Sequence, residues 1–276
     1  MSRVRVAPGA PLFQAPDARG RIAPTHAEAI RARKSLLSAI FLEQLFGDQA
    51  KAHFEGGRAV AILPLGSTEY HGPGGPYGTD TYVAAAVAQR VSAETGALVL
   101  PALGYGHSPD HRDYAGTLHL RRDTLTAILI DILESLRRHG ASGLLLLVGH
   151  WGNYDVAMKV RQISIESGSR TRVEVVRVFD DLELDLAELD EVFGGKDWRG
   201  HGGAGEVSVA LYAEQKLRAP SREHLARAMP APESRDYGAI GWQGLPEEAS
   251  AARGERVVDV MARAVVKYMR DRFGGR

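Results

Sequence analysis

The 276-residue chain contains no cysteine. That absence removes disulfides, thiolate metal sites and a cysteine nucleophile together, so any bound metal must be held by His, Asp and Glu. Charge of one sign is not in excess either, since 34 Lys and Arg balance 34 Asp and Glu. Without a net field, neither nucleic acid nor an anionic membrane is favoured as a partner. No apolar run approaches the length of a membrane span. The opening Met1-Ser2-Arg3-Val4-Arg5-Val6-Ala7-Pro8 lacks the unbroken apolar core of a secretion signal. Internal repeats and domain linkers are also missing, and the expectation is a cytoplasmic protein. What is present, 44% apolar and 25% charged residues, is an ordinary globular composition in a chain long enough for a large core.

Residues 1–57 read as an amino-terminal lead-in plus a helix over 25–46, packed on a main domain over 58–276. Within that domain short aliphatic runs alternate with helical periodicity. Strands are expected over 59–65, 97–103, 144–148 and 172–179, and helices over 80–94, 122–138, 154–166, 205–216 and 256–273. A solvated acidic helix is expected over 180–193, and a Pro-rich connector near Pro220, Pro230 and Pro232. This β-α-β-α order predicts an α/β fold, a mostly parallel sheet with helices on both faces. In such sheets ligands gather beyond the carboxyl ends of strands. Two loops with chemistry-bearing residues start there.

The first, Glu69-Tyr70-His71-Gly72-Pro73-Gly74-Gly75-Pro76-Tyr77-Gly78-Thr79-Asp80, follows the strand over 59–65. Glu69 and His71 share one side of an extended backbone, because side chains alternate with a period of two. Carboxylate with imidazole suits zinc, manganese or iron. Asp80 alone has a plainer role as a helix cap. The second loop, Gly149-His150-Trp151-Gly152-Asn153, delivers a titratable His150 at the end of five aliphatic residues, where it is costly without a partner. Asn153 reads as a cap for the following helix. Further on, Gly200, Gly202 and Gly205 match a dinucleotide fingerprint, but no apolar strand precedes them. The rival reading is that these glycines let the backbone approach the metal loop, with Glu206 as a ligand and His201 as a proton-transfer group. His107, Asp110 and His111 form a lesser candidate for an independent metal site. Trp151 and Trp198 are candidate aromatic walls for a substrate.

Three ordered motifs carry a family resemblance: Leu63-Pro64-Leu65-Gly66-Ser67-Thr68-Glu69-Tyr70-His71-Gly72-Pro73 with Thr79-Asp80, then Gly149-His150-Trp151-Gly152-Asn153, then His201-Gly202-Gly203-Ala204-Gly205-Glu206-Val207-Ser208. Together they resemble the creatininase (creatinine amidohydrolase) family over residues 58 to 265. The resemblance implies a single three-layer αβα domain with a dinuclear metal centre. Glu69 and His150 would hold one ion, His71 and Glu206 the other, with Asp80 bridging and His201 as acid and base. Tyr70, His111, Trp151 and Trp198 are candidate substrate contacts. Two divalent ions (zinc, manganese or iron) are the implied cofactors, and a homo-oligomer, a hexamer, the implied assembly.

The implied reaction is hydrolysis of a C–N bond in a small cyclic amide or formamide by metal-activated water. The same centre serves relatives acting on a peptide or on a cyclic diketone of inositol catabolism. From another class, a non-catalytic nucleotide- or metal-binding module is the rival. This chain departs from the family pattern at Gly152, where creatininase itself has a ligand glutamate, at Gly74, where histidine is usual, and at Val207, where threonine is usual.

Overall fold

Aliphatic runs buried on both faces make the sheet. The structure, a computed structural model, describes residues 38–226 and 245–274. The lead-in over 1–25, most of the helix expected over 25–46, and the connector at Pro230 and Pro232 lie outside them. One unit spans Ala39–Arg276. It begins with β1 (Ile40–Phe41) and α1 (Gly47–Phe54), followed by β2 (Val60–Leu65), α2 (Thr79–Thr95), β3 (Leu98–Val99) and α3 (Arg122–His139). Next come β4 (Gly143–Val148), α4 (Tyr154–Glu166), β5 (Arg172–Arg177), α5 (Leu186–Val192), α6 (Ala204–Ala213), the single turn α7 (Arg222–Leu225) and the long α8 (Ala251–Phe273).

The strands lie in the order β1-β3-β2-β4-β5, and every pairing is parallel. Alternation along β4 divides the core in two. Leu145 and Leu147 pack with Ile62 and Val176 against α2, α6 and α8. Leu144, Leu146 and Val148 pack with Leu63 and Leu65 against α3 and α4. The outcome is the three-layer α/β architecture that the alternating pattern implied. Left-handed glycines, Gly96 at φ 71° and Gly140 at φ 86°, stop α2 and α3. Among the described residues, no helix is long and apolar enough to cross a membrane.

Three expected elements differ. Residues 40–44, expected inside a helix, form β1 and a short 3-10 turn, because Ile40 and Phe41 pair with the otherwise open edge of β3. The strand expected over 97–103 shrinks to two residues, and Leu103 returns only as an isolated bridge to Leu65. The helix expected over 180–193 is confined to α5 and is not merely a solvated face, since Leu189 and Val192 are buried in the core.

Chain order positions the site. β2 is followed by a strand on one side of it (β3), and β4 then lies on the other. Loops leaving the carboxyl ends of β2 and β4 therefore diverge, and a crevice opens between them.

Candidate metal centre

The loop after β2 runs extended through Glu69, Tyr70 and His71, so Glu69 and His71 point one way and Tyr70 the other. Glu69 and His71 are buried in the crevice. Tyr70 instead stacks its ring on Tyr114, with centroids 4.5 Å apart. The period of two thus turns its side chain away from Glu69 and His71, and its carbonyl meets His201 Nε2. Asp80 lies in the first turn of α2 yet makes no capping bond to it. Its carboxylate turns inward, where the helix N-terminus favours negative charge.

Asp80 faces two histidines, one per oxygen. His71 Nε2 lies 3.0 Å from Asp80 Oδ1, and His150 Nδ1 lies 3.1 Å from Oδ2 and 3.2 Å from Glu69 Oε1. Glu206 approaches from α6, its Oε2 3.9 Å from His71 Nε2. The Gly202 N–H donates to that same oxygen at 2.8 Å, from a backbone at φ 66° that suits glycine. The run Gly200-x-Gly202-x-x-Gly205 therefore wraps a carboxylate rather than forming a strand-to-helix phosphate turn. His201 stacks between His71 and His111 with centroids 4.1 Å and 4.2 Å away. Its Nδ1 is 3.7 Å from Glu69 Oε1, and His111 Nε2 is 3.9 Å from that oxygen.

Outer ring nitrogens reveal how the cluster is built. His71 Nδ1–H donates to the Glu69 carbonyl at 3.0 Å, His150 Nε2–H to the His107 carbonyl at 3.0 Å, and His201 Nε2–H to the Tyr70 carbonyl at 2.7 Å. Each imidazole therefore directs its other nitrogen at carboxylate oxygens. Lone pair facing lone pair repels unless a cation or a proton stands between them. This outer-carbonyl, inner-lone-pair arrangement is how metal-binding histidines are oriented. In addition, the buried Glu69 Oε2 makes no hydrogen bond among the described residues. Asp80 Oδ2, though 3.1 Å from His150 Nδ1, is not aligned for one. The donor set fits divalent metal, with Glu69, Asp80 and His150 as one group and His71, Glu206 and His201 as another, each within mutual reach.

Without metal the cluster holds its charges as ion pairs. Burial disfavours charge on His71, but Asp80, Glu206 and Glu69 outweigh it and raise its pKa to about 10. His150 rises for the same reason, burial being opposed by Glu69 and Asp80. Burial alone would lift Glu69, yet His150 and then His71 hold it down at about 2. Asp80 is lowered likewise, His71 and His150 overcoming its burial. Glu206 is pushed up to about 7 by burial, with His71 opposing and Asp80 assisting. His201 is pushed down to about 3 by burial and by the charge on His71.

A cavity of about 450 Å3 opens above the cluster, lined among others by His111, Trp151, Arg177, Asp180 and Trp198. Trp151 is 66% exposed, whereas Trp198 is buried, stacked on Phe193 and bonded through Nε1 to Asp190. Trp198 is thus chiefly core. His107 belongs to no independent metal site, because Nδ1 donates to the Leu120 carbonyl and Nε2 accepts from Arg122.

Three positions were missed or misread from sequence. Asn153 caps nothing: its Oδ1 accepts from the His107 N–H at 2.9 Å and its Nδ2 donates to the Gly66 carbonyl at 2.8 Å. It clamps three loops, and only its place after His150 hinted at more than a cap. Ser67 and Ser108, whose hydroxyls meet at 2.5 Å beneath the site, carried no signal beyond their loops. Gly152 has a steric reason, since a Cβ there would fall 2.1 Å from the His107 carbonyl and 2.5 Å from His150 Nε2. At Gly74 a Cβ would meet Pro246 at 2.6 Å, which accounts for the missing histidine.

The creatininase profile, described as creatinine amidohydrolase, matches residues 44–269. Creatinine amidohydrolase of Pseudomonas putida is 27% identical over 255 residues, 85% of this chain and 98% of that protein. The mycofactocin precursor peptide peptidase of Mycobacterium tuberculosis is 31% identical over 231 residues, 75% of this chain and 85% of the relative. A solved structure described as creatininase Mn superposes with a TM-score of 0.72 at 25% identity, covering 86% of this chain and 100% of the other. Profile, relatives, fold and carboxylate–imidazole cluster agree, and the chain belongs to the creatininase family of metal-dependent amidohydrolases.

Proposed function

We propose that the protein hydrolyses the C–N bond of a small amide, cyclic or formyl, at a centre of two divalent ions of zinc, manganese or iron. The observation that carries this reading is the set of three imidazoles anchored outward on backbone carbonyls and turned inward onto Glu69, Asp80 and Glu206. Glu69 and His150 would hold one ion and His71 and Glu206 the other, with Asp80 shared between them. Bound there, divalent metal would supply polarisation of an amide carbonyl and a water whose pKa falls from about 15.7 towards about 7. The chain's own contribution is proton handling and positioning. His201, fixed at Nε2 by the Tyr70 carbonyl, has Nδ1 as the atom that takes a proton and returns it to the leaving nitrogen. His111 stacks behind it and borders the cavity.

A peptidic amide is the second reading. A cavity of about 450 Å3 has room beyond one small ring, and a relative with 31% identity is named a peptide peptidase. Assembly as a homo-oligomer, hexameric by the family resemblance, belongs to the same proposal and is checked by light scattering. The test is elemental analysis of protein purified without chelator, followed by a panel of cyclic amides, formamides and peptides scored by product mass. Two metal equivalents and one cleaved class are expected. Glu206→Gln is expected to lower metal content and turnover together; wild-type values of both would remove Glu206 from the centre.

A further inference from the structure

Among the described residues lining the cavity, Trp151 is an exposed aromatic whose edge and one face are engaged by neighbours. The residue is 66% exposed, yet its Nε1–H donates to Asp180 Oδ2 at 2.7 Å. The Arg177 guanidinium lies 4.8 Å from its centroid and 4.3 Å from that of Tyr154, so it sits against both rings. Asp181 in turn fixes Arg177, accepting from Nε at 2.9 Å and Nη2 at 2.6 Å, and from the Arg177 backbone N–H at 2.9 Å. The turn after β5 thus orients a ring that belongs to the loop after β4.

A largely exposed indole gains little from hydrophobic burial, and ordering its rotamer carries an entropic cost. A ring fixed by a hydrogen bond at its edge and a cation on one face is therefore a preformed surface rather than a packing residue. Arg177 lies over one face, and the exposed residue lines the cavity together with Glu69, Asp80 and His150. Flat groups stack on such a face with offset geometry, whereas saturated rings of equal size offer no quadrupole to match it.

We propose that Arg177 and Asp180 are positioning residues that pre-orient Trp151, and that the open face of Trp151 selects substrates carrying a flat unsaturated group beside the scissile amide. The proposal rests on the hydrolase reading of the cavity, but its test needs no turnover.

Benzamide and cyclohexanecarboxamide share a carboxamide and a six-membered ring and differ in planarity. Their affinities for the metal-loaded protein are measured by ligand-observed NMR titration. Benzamide is expected to bind tighter by about three- to tenfold. Trp151→Ala brings that ratio to about one, and Trp151→Phe keeps part of it. Arg177→Met and Asp180→Ala reduce it while metal content stays at the wild-type value. A wild-type ratio of one, or a ratio unchanged in Trp151→Ala, overturns the proposal. A ratio lost in Trp151→Ala but intact in both Arg177→Met and Asp180→Ala overturns the positioning role. Metal loss in Arg177→Met together with the ratio assigns Arg177 to the centre instead. If no amide is ever cleaved but the ratio follows Trp151, the hydrolase reading fails and the subsite stands.

Discussion

Loading the centre with metal should expel protons, and the number can be worked from the cluster. In the metal-free protein His71 holds its inner proton to about pH 10, because burial is outweighed by Asp80, Glu206 and Glu69. His150 is raised as well, by Glu69 and Asp80. Their outer nitrogens are engaged by backbone carbonyls at 3.0 Å, so metal can enter only where the inner protons now sit. At pH 8 the solution is about two units below the His71 pKa, and displacing that proton opposes metal binding by about 3 kcal/mol. Glu206, at about 7, is already mostly ionised there and releases little. The expected release is therefore about two protons for the two-ion centre, one each from His71 and His150, and combined affinity for two ions should fall about 100-fold for each pH unit lowered below 8. Titrating zinc or manganese into weakly buffered apoprotein, with a pH indicator or with calorimetry in two buffers of different ionisation enthalpy, counts the protons. Fewer than one proton released by the whole centre at pH 8 would refute the assignment of His71 and His150 as inward-facing ligands.

Other perturbations follow from the same geometry. Asn153→Ala strands the His107 N–H and the Gly66 carbonyl; a loss of about 2–4 kcal/mol is expected in chemical denaturation, with reduced metal content, and an unchanged midpoint would oppose the clamp role. Gly152→Ala places a methyl 2.1 Å from the His107 carbonyl, so a lower melting temperature and about 1–3 kcal/mol of strain are expected, together with weaker metal retention. Away from the site, the Tyr268–Glu174 hydrogen bond predicts a pH effect. Burial and the Glu174 carboxylate raise the Tyr268 hydroxyl from 10.0 to about 12, the hydroxyl donating to Glu174 Oε2 at 2.8 Å. The unfolded chain ionises first, so stability is intact below pH 10 and is lost as pH rises towards 12. Thermal melts across that range should fall less steeply in Tyr268→Phe; identical slopes would remove Tyr268 from the effect.

The parallel order of strands and the faces of the helices were legible in the linear pattern, because burial on two faces demands unbroken aliphatic runs such as Leu144–Val148. So were Glu69 and His71, whose spacing of two puts them on one side of an extended chain, and His150, placed by the end of β4. Their convergence on the crevice needed the strand order as well, since β2 and β4 become neighbours only through a crossover that local periodicity does not encode. Tertiary structure alone decided the finer matters. β1 exists because β3 offers it an open edge, although its residues read locally as helix. The His107 carbonyl orients His150, and Asn153 clamps loops rather than capping a helix. In each case the partner is a backbone group distant in sequence. Every residue has an N–H or carbonyl to offer, apart from the proline N–H, so composition cannot mark which ones a side chain will meet; only the packed chain brings them within 3 Å.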